Sequence, residues 1–252
     1  MYGAKQSARN WNSLLATLFR EFGLRLISEA HYLWANDDFI LATHVDDLAL
    51  AYRNDSSLET FKQFFADHHC TMNDIGEISQ FLGIEVHRDR SRGLLQITQA
   101  GFVKQALERY SMLDAKPRAI PLDTGLKFSR KDEPKCNEQE KKQYHEILGI
   151  IGWKTAWTGP GLAFSHSFLS RFLVSPAVQH LQAAKNVLRY MKYTQYKGPV
   201  YRRDDFFIST QKPNQLLSFA DADHGMCLDS YRSTSGQLIL LNGAAIYWKS
   251  QL

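Results

Sequence analysis

Apolar residues recur at helical spacing in several stretches of the chain. In the first stretch they occupy positions 11, 14, 15, 18 and 22, which predicts a helix over residues 8–22 that stops before Gly23. The run Ser56-Ser57-Leu58-Glu59 has the pattern of a capping box, which predicts that a second helix opens there. The same spacing predicts further helices over residues 99–110, 144–151, 164–172 and 177–193.

Short β-prone runs alternate with these helices. Residues 39–42 and 48–52 predict two strands with Asp46 and Asp47 in the turn between them. Residues 81–86 and 94–98 predict two more, joined by the polar segment 88–93. The pair Asn242-Gly243, between two apolar runs, is typical of a hairpin turn. The mixture of elements predicts an α/β (α+β) fold, with an exposed linker over the polar residues 127–142.

Composition adds limits but names no function. The chain has 252 residues, 44% of them hydrophobic and 22% charged, as in ordinary globular proteins, and a net charge of +4 permits a polyanionic partner without indicating one. Cys70, Cys136 and Cys227 are odd in number and widely spaced, which excludes a disulfide framework and favours an intracellular setting, in the cytoplasm or nucleus. Without a leader or an apolar run of about 18 residues, we expect the protein to be neither secreted nor embedded in a membrane.

Two groups of residues could bind a metal. Asp46 and Asp47 share a predicted turn, where a hard divalent cation such as magnesium would relieve the repulsion between their carboxylates. Phosphoryl transfer between nucleotides uses such ions in pairs, about 4 Å apart. The alternative is a solvated turn. His68-His69-Cys70 lacks a second ligand pair at zinc-finger spacing, so we interpret it as a surface segment.

Several sequence blocks occur in a fixed order along the chain. They are MYGAKQSARNW (residues 1–11), HVDD (44–47), MNDIG (72–76), FLGIEV (81–86), and DAD (221–223) followed by RSTSG (232–236). In this order and spacing they resemble the reverse transcriptases of copia-type LTR retrotransposons, whose usual forms are LYGLKQ(A/S)PRxW, YVDD, MxDLG and FLGI(E/Q). The resemblance covers nearly the whole chain.

The resemblance implies a domain organisation and an activity. Residues 1–130 would be the later part of the reverse transcriptase palm with the thumb, and residues 131–212 a linker and helical connection. Residues 213–252 would be the first strands of a truncated RNase H-like sheet. The parent activity would be RNA-directed DNA synthesis with magnesium as cofactor, and the partners would be an RNA or DNA template-primer and dNTPs.

The resemblance also implies the site residues. Asp46, Asp47 and Asp221 would be catalytic and would bind metal, and Asp223, two residues further along, would lie on the same face of the strand as Asp221. Residues that would contact nucleotide or nucleic acid are Lys5, Gln6, Arg9, His44, Phe81, Leu82 and Gly83. His44 replaces the usual Tyr. Without the resemblance, Lys5 and Arg9 could be solvated residues of a helical turn, and residues 81–85 a buried strand.

We expect the chain to be inactive by itself. Relatives take their first metal-binding aspartate from a strand upstream of the block that begins here at Met1, and further RNase H carboxylates from beyond Leu252. A two-metal site without some of its carboxylates loses both metal affinity and positioning. Two alternatives remain open: a nucleic-acid-binding module without catalysis, and a decayed retroelement relic.

Overall fold

A computed structural model describes residues 6–27, 32–203 and 215–252. The chain forms two compact units, residues 1–78 and residues 79–252. Its helices and antiparallel sheets confirm the predicted α+β fold. Across the described ranges, no helix has both the length and the apolar character that a membrane crossing requires.

The first unit packs two helices with a four-stranded antiparallel sheet of order β1-β2-β3-β4. Its described elements are α1 (Ser7–Glu21), β1 (Arg25–Leu26), β2 (Leu33–Ala35), β3 (Phe39–His44), β4 (Asp47–Tyr52) and α2 (Asp55–Asp67).

The core of the first unit is rich in aromatic side chains. Its buried members come from both helices, the sheet and the connection between α1 and β1: Leu15, Leu18, Phe19, Leu24, Trp34, Phe39, Leu41, Phe61 and Phe65. The spacing of α1 predicted its buried face in part: Leu15 and Leu18 are buried, but Leu14 is 47% exposed, and Phe19, which the spacing did not include, is 1% exposed. The predicted start of α2 was wrong, because Asn54 caps this helix: its Oδ1 accepts a hydrogen bond from the Ser57 N–H at 2.9 Å.

The second unit contains two sheets and most of the helices. One sheet has the order β5-β6-β7-β8, with β5 (Gln80–Phe81), β6 (Ile84–Asp89), β7 (Leu94–Thr98) and β8 (Val200–Arg202). The other has the order β11-β10-β9, with β9 (Leu216–Ala222), β10 (Ser235–Leu241) and β11 (Ala244–Gln251). The α-helices are α3 (Ala100–Arg109), α4 (Glu138–Trp157), α5 (Ala163–Ser170) and α6 (Val178–Tyr193), and a 3₁₀ helix spans Pro160–Leu162.

Helices α3 to α6 share one apolar core, in which Tyr144, Ile147, Leu148 and Ile151 of α4 are nearly inaccessible to solvent. The predicted linker over residues 127–142 was too long, because α4 already begins at Glu138 behind a capping box formed by Asn137 and Glu140. Phe128 is also buried in this core and packs on the rings of Phe168 and Phe172.

The three-stranded sheet includes the hairpin predicted from Asn242-Gly243. Both turn residues have positive φ, +48° and +77°, which confirms the prediction. The indole N–H of Trp248 on β11 donates to the carbonyl oxygen of Thr155 on α4 at 2.7 Å, which attaches the hairpin to the helices. On the other side of β10, every residue of β9 is exposed.

Strand β8 joins distant parts of the second unit. It pairs with β7 through Leu94 and Arg202, so residues before and after the helical segment share one sheet. Because this pairing holds residues 79–252 in one compact unit, the division between the two units falls between Ile78 and Ser79. The domain boundaries implied near residues 130 and 212 remain predictions.

Candidate functional site

The two aspartates singled out by the sequence lie at the tip of the β3–β4 hairpin. His44 pairs with Asp47 across the hairpin, and Val45 and Asp46 form the two-residue turn. Val45 has φ of +57°, an unusual value for a β-branched residue. The sequence therefore predicted the hairpin, but only Asp46 lies in its turn, because Asp47 is the first residue of β4.

Both carboxylates and the His44 ring are exposed to solvent. Carboxylate oxygens are the ligands that hard divalent cations prefer, so the chemistry of Asp46 and Asp47 fits such an ion. In the described ranges, no three His, Cys, Asp or Glu side chains are grouped closely enough to hold a metal. The hairpin tip thus presents two neighbouring carboxylates, with no third such side chain grouped with them among the described residues.

Helix α1 contacts the same tip. Trp11 donates its indole N–H to the carbonyl oxygen of Val45, with 2.9 Å between Nε1 and the oxygen. Gln6 is the N-cap residue of α1, and Arg9 is exposed on its first turn, which contains no acidic residue. The start of a helix carries free N–H groups and a partial positive charge, which suits phosphate oxygens. Lys5 lies outside the described residues.

Phe81, Leu82 and Gly83 lie in the second unit, where they form a tight hairpin. Sequence analysis predicted one strand over residues 81–86, and this was wrong. Leu82 and Gly83 both have positive φ, +51° and +77°, and turn the chain between β5 and β6. Two-residue turns of this type match the twist of the strands that they join.

Glu85 is a structural residue that sequence analysis missed. Its carboxylate accepts hydrogen bonds from the backbone N–H of Gly101 at 2.6 Å, the Thr98 hydroxyl at 2.7 Å and the backbone N–H of Ala100 at 3.3 Å. Burial raises the pKa of Glu85, but these hydrogen bonds outweigh it and hold the pKa below its ordinary value. Glu85 therefore caps α3 from strand β6.

Lys154 on α4 is a second residue without a sequence signal. Its side chain is 1% exposed, and Nζ donates to the Thr158 hydroxyl at 2.8 Å and to the Lys197 carbonyl oxygen at 3.3 Å. The Thr158 hydroxyl donates in turn to Oε1 of Gln99 at 2.7 Å. Burial lowers the pKa of Lys154 to about 8, although the charge of Glu85 opposes this shift.

Asp221 is on the exposed strand β9 and borders an open cavity of about 500 Å³. Lys249 and Gln237 also line this cavity. Asp223 is placed differently from what the sequence suggested, because β9 ends at Ala222 and the Asp223 carboxylate accepts backbone hydrogen bonds from Met226 and Thr234. The Asp223 carboxylate therefore links the two ends of the loop between β9 and β10.

The segment His68-His69-Cys70 follows the end of α2. Both histidine side chains are exposed, and Nδ1 of His68 is 2.8 Å from the Phe64 carbonyl oxygen. The described surroundings contain no ligand cluster that would use these side chains. The exposed histidines agree with the interpretation of a surface segment, whereas Cys70 is partly buried and packs against the core of the first unit.

Comparison with known proteins gives one family match. Residues 1–124 match the reverse transcriptase (RNA-dependent DNA polymerase) family. The whole chain is similar to the Pol polyprotein from transposon TNT 1-94 of Nicotiana tabacum, with 28% identity over 261 residues and 19% of that protein covered. It is 27% identical to a putative transposon Ty5-1 protein of Saccharomyces cerevisiae, of which it covers 79%.

A third relative is the Pol polyprotein from transposon RE1 of Arabidopsis thaliana, which is 29% identical over 263 residues. The chain spans 16% of that protein, so it corresponds to less than a fifth of each of the two plant polyproteins. No solved structure matches the chain.

Proposed function

We propose that the hairpin tip is part of the metal site of an RNA-directed DNA polymerase. The premise is that this chain belongs to the reverse transcriptase family, as a fragment of a copia-type Pol polyprotein. The observation that supports this proposal is the exposed pair Asp46 and Asp47 at the hairpin tip, whose turn helix α1 contacts through Trp11. The family suggests a divalent metal, and we propose magnesium.

Four residues of the first unit would have defined roles in this site. Asp46 and Asp47 would bind magnesium through their carboxylate oxygens, and the bound ion would stabilise charge on the phosphate oxygens of the reacting nucleotide. The guanidinium group of Arg9 would pair with phosphate, for which its planar set of donors is suited. His44, opposite Asp47, would lie beside the template-primer.

Metal binding by the 252-residue chain tests the site. We expect Mn²⁺, used as a spectroscopic substitute for Mg²⁺, to bind to the wild-type chain and to bind much more weakly to Asp46→Asn and Asp47→Asn. Asp37→Asn is the matched control, because Asp37 is an exposed carboxylate in the same unit and lies outside the β3–β4 tip. Equal affinities in all four proteins would refute the proposed site.

Primer extension tests the activity. We expect the chain alone not to extend a primer, because catalysis with two metals needs more carboxylate ligands than the pair at this tip. Magnesium-dependent extension by the purified chain, abolished by Asp46→Asn, would overturn this expectation. In the longer polyprotein, Asp46→Asn should abolish extension.

Nucleic-acid binding without catalysis is a second candidate function. It is favoured by the exposed Arg9 on a first helical turn that has no acidic residue. A template-primer should then bind to the chain with an affinity that falls steeply as salt rises, and Arg9→Gln should reduce the slope of that dependence. Absence of binding at low salt would exclude this candidate.

We also propose that β9, β10 and β11 are the first strands of an RNase H-like sheet in which Asp221 binds metal. The exposure of Asp221 and the adjoining cavity support this role. In the Mn²⁺ titration, Asp221→Asn should remove a second class of site and leave the one at Asp46 unchanged. A Mn²⁺ titration of Asp221→Asn that equals that of the wild-type chain would count against metal binding by Asp221.

A further inference from the structure

We propose that Trp11 is a positioning residue, whose indole N–H holds the turn that presents Asp46 and Asp47. The metal-binding consequence rests on the function proposed above. The effect on the turn itself depends only on the described geometry.

The contact joins two segments that are 34 residues apart. Nε1 of Trp11, on α1, is 2.9 Å from the carbonyl oxygen of Val45 at the hairpin tip. The Trp11 ring is partly buried and packs against the core of the first unit, as Leu48 of β4 does. The indole is therefore fixed by packing on one side and presents its N–H to the turn on the other.

The accepting carbonyl belongs to the peptide group that leads into Asp46. A peptide group is planar, so a hydrogen bond that fixes the Val45 carbonyl oxygen also fixes the direction of the Asp46 N–H and the start of the Asp46 backbone. One contact on the main chain thereby orients the residue that carries the carboxylate.

The turn needs such support because its first residue is strained. Val45 has φ of +57°, a conformation that β-branched side chains disfavour. Its side chain is 61% exposed, so packing of that side chain does little to hold this conformation. The β3–β4 ladder ends at the pair His44 and Asp47, and Trp11 adds a hydrogen bond to the turn from outside the hairpin.

The experiment compares Trp11→Phe with Trp153→Phe in the full chain. Phenylalanine keeps an aromatic ring but lacks the N–H, and Trp153 is a partly exposed tryptophan on α4 in the second unit. Amide hydrogen exchange should become about fivefold faster at residues 44–48 in Trp11→Phe, as expected for the loss of one hydrogen bond. Exchange in α2 should stay unchanged, and Trp153→Phe should leave the tip unaffected.

Two further measurements separate positioning from general destabilisation. Mn²⁺ affinity should fall several-fold in Trp11→Phe and stay constant in Trp153→Phe. Adding Val45→Asn to Trp11→Phe should recover part of the protection at the tip, because asparagine accepts positive φ more readily than valine does. If Trp11→Phe unfolds, benzothienylalanine at position 11 keeps the shape of the indole and removes only the donor.

The outcomes distinguish this inference from the proposed function. Unchanged exchange at residues 44–48 without the indole N–H would overturn the role of Trp11. If the wild-type chain binds no Mn²⁺ while exchange at the tip still responds to Trp11→Phe, the proposed metal site fails and the structural role of Trp11 stands.

Discussion

Replacing Lys154 by methionine should make the protein more stable at neutral pH. Lys154 is a buried amine whose pKa falls from 10.5 to about 8 in the folded chain. At neutral pH the amine is still charged, so the folded state bears the cost of burying that charge. A pKa difference of this size corresponds to about 3 kcal/mol.

Methionine is similar in length and has no charge to bury. It gives up the two hydrogen bonds to the Thr158 hydroxyl and the Lys197 carbonyl oxygen, a loss of about 2 kcal/mol at about 1 kcal/mol each. We therefore expect Lys154→Met to raise the free energy of unfolding by about 1 kcal/mol at pH 7. Urea unfolding followed by far-UV circular dichroism measures this difference.

The pH dependence gives the sharper test. A lysine whose pKa is lower in the folded state binds fewer protons there than in the unfolded state, so the wild-type protein gains stability as pH rises from about 8 towards 10.5. Lys154→Met lacks this gain, and its advantage should shrink between pH 7 and pH 10. Lys104→Met, at an exposed position of α3, should differ little from wild type at either pH.

A loss of stability in Lys154→Met that is equal at pH 7 and pH 10 would refute this reasoning. It would mean that the hydrogen bonds of the amine outweigh the cost of burying its charge.

Three other substitutions test contacts in the second unit. Glu85→Gln should lower the free energy of unfolding by about 2 kcal/mol at pH 7, because the cap of α3 loses its charge. Since folding lowers the pKa of Glu85, this difference should disappear as pH falls below 4.5. A difference in urea titrations that stays constant with pH would contradict the role of Glu85 as a charged cap. Gly198→Ala would place a Cβ 1.9 Å from the Ile97 carbonyl oxygen, so it should lower the melting temperature by several degrees in calorimetry, and an unchanged value would show that the backbone yields there. His180 is fully buried, and burial lowers its pKa below 6.5, so the wild-type protein should lose stability as pH falls from 7 to 5. His180→Gln should lose less stability over that range. If the free energy of unfolding has the same pH dependence in both proteins, His180 is not the cause.

The sequence predicted those elements whose signals are local. The periodicity of α1 identified part of its buried face, and Asn242-Gly243 identified a hairpin turn. The same holds for the tip at Asp46, where two β-prone runs flank polar residues. In each case neighbouring residues carry the physical preference, so no long-range contact is needed to infer it.

The features that the sequence did not reveal depend on contacts between distant residues. Glu85 caps a helix that begins 15 residues later, and nothing in its neighbours indicates this. Phe128 lies in a polar stretch, and its burial follows from packing on Phe168, Phe172 and His180, which are distant in the sequence. Leu82-Gly83 was missed because β5 is two residues long, too short to show alternation.

The capping contact of Glu85 has a mechanical consequence. The first N–H groups of α3 are bound to a side chain of β6, three residues after the start of the turn at Leu82. A helix fastened at its first turn cannot tilt freely relative to the strand that holds it. We therefore expect the β5–β6 hairpin and the first turn of α3 to move together.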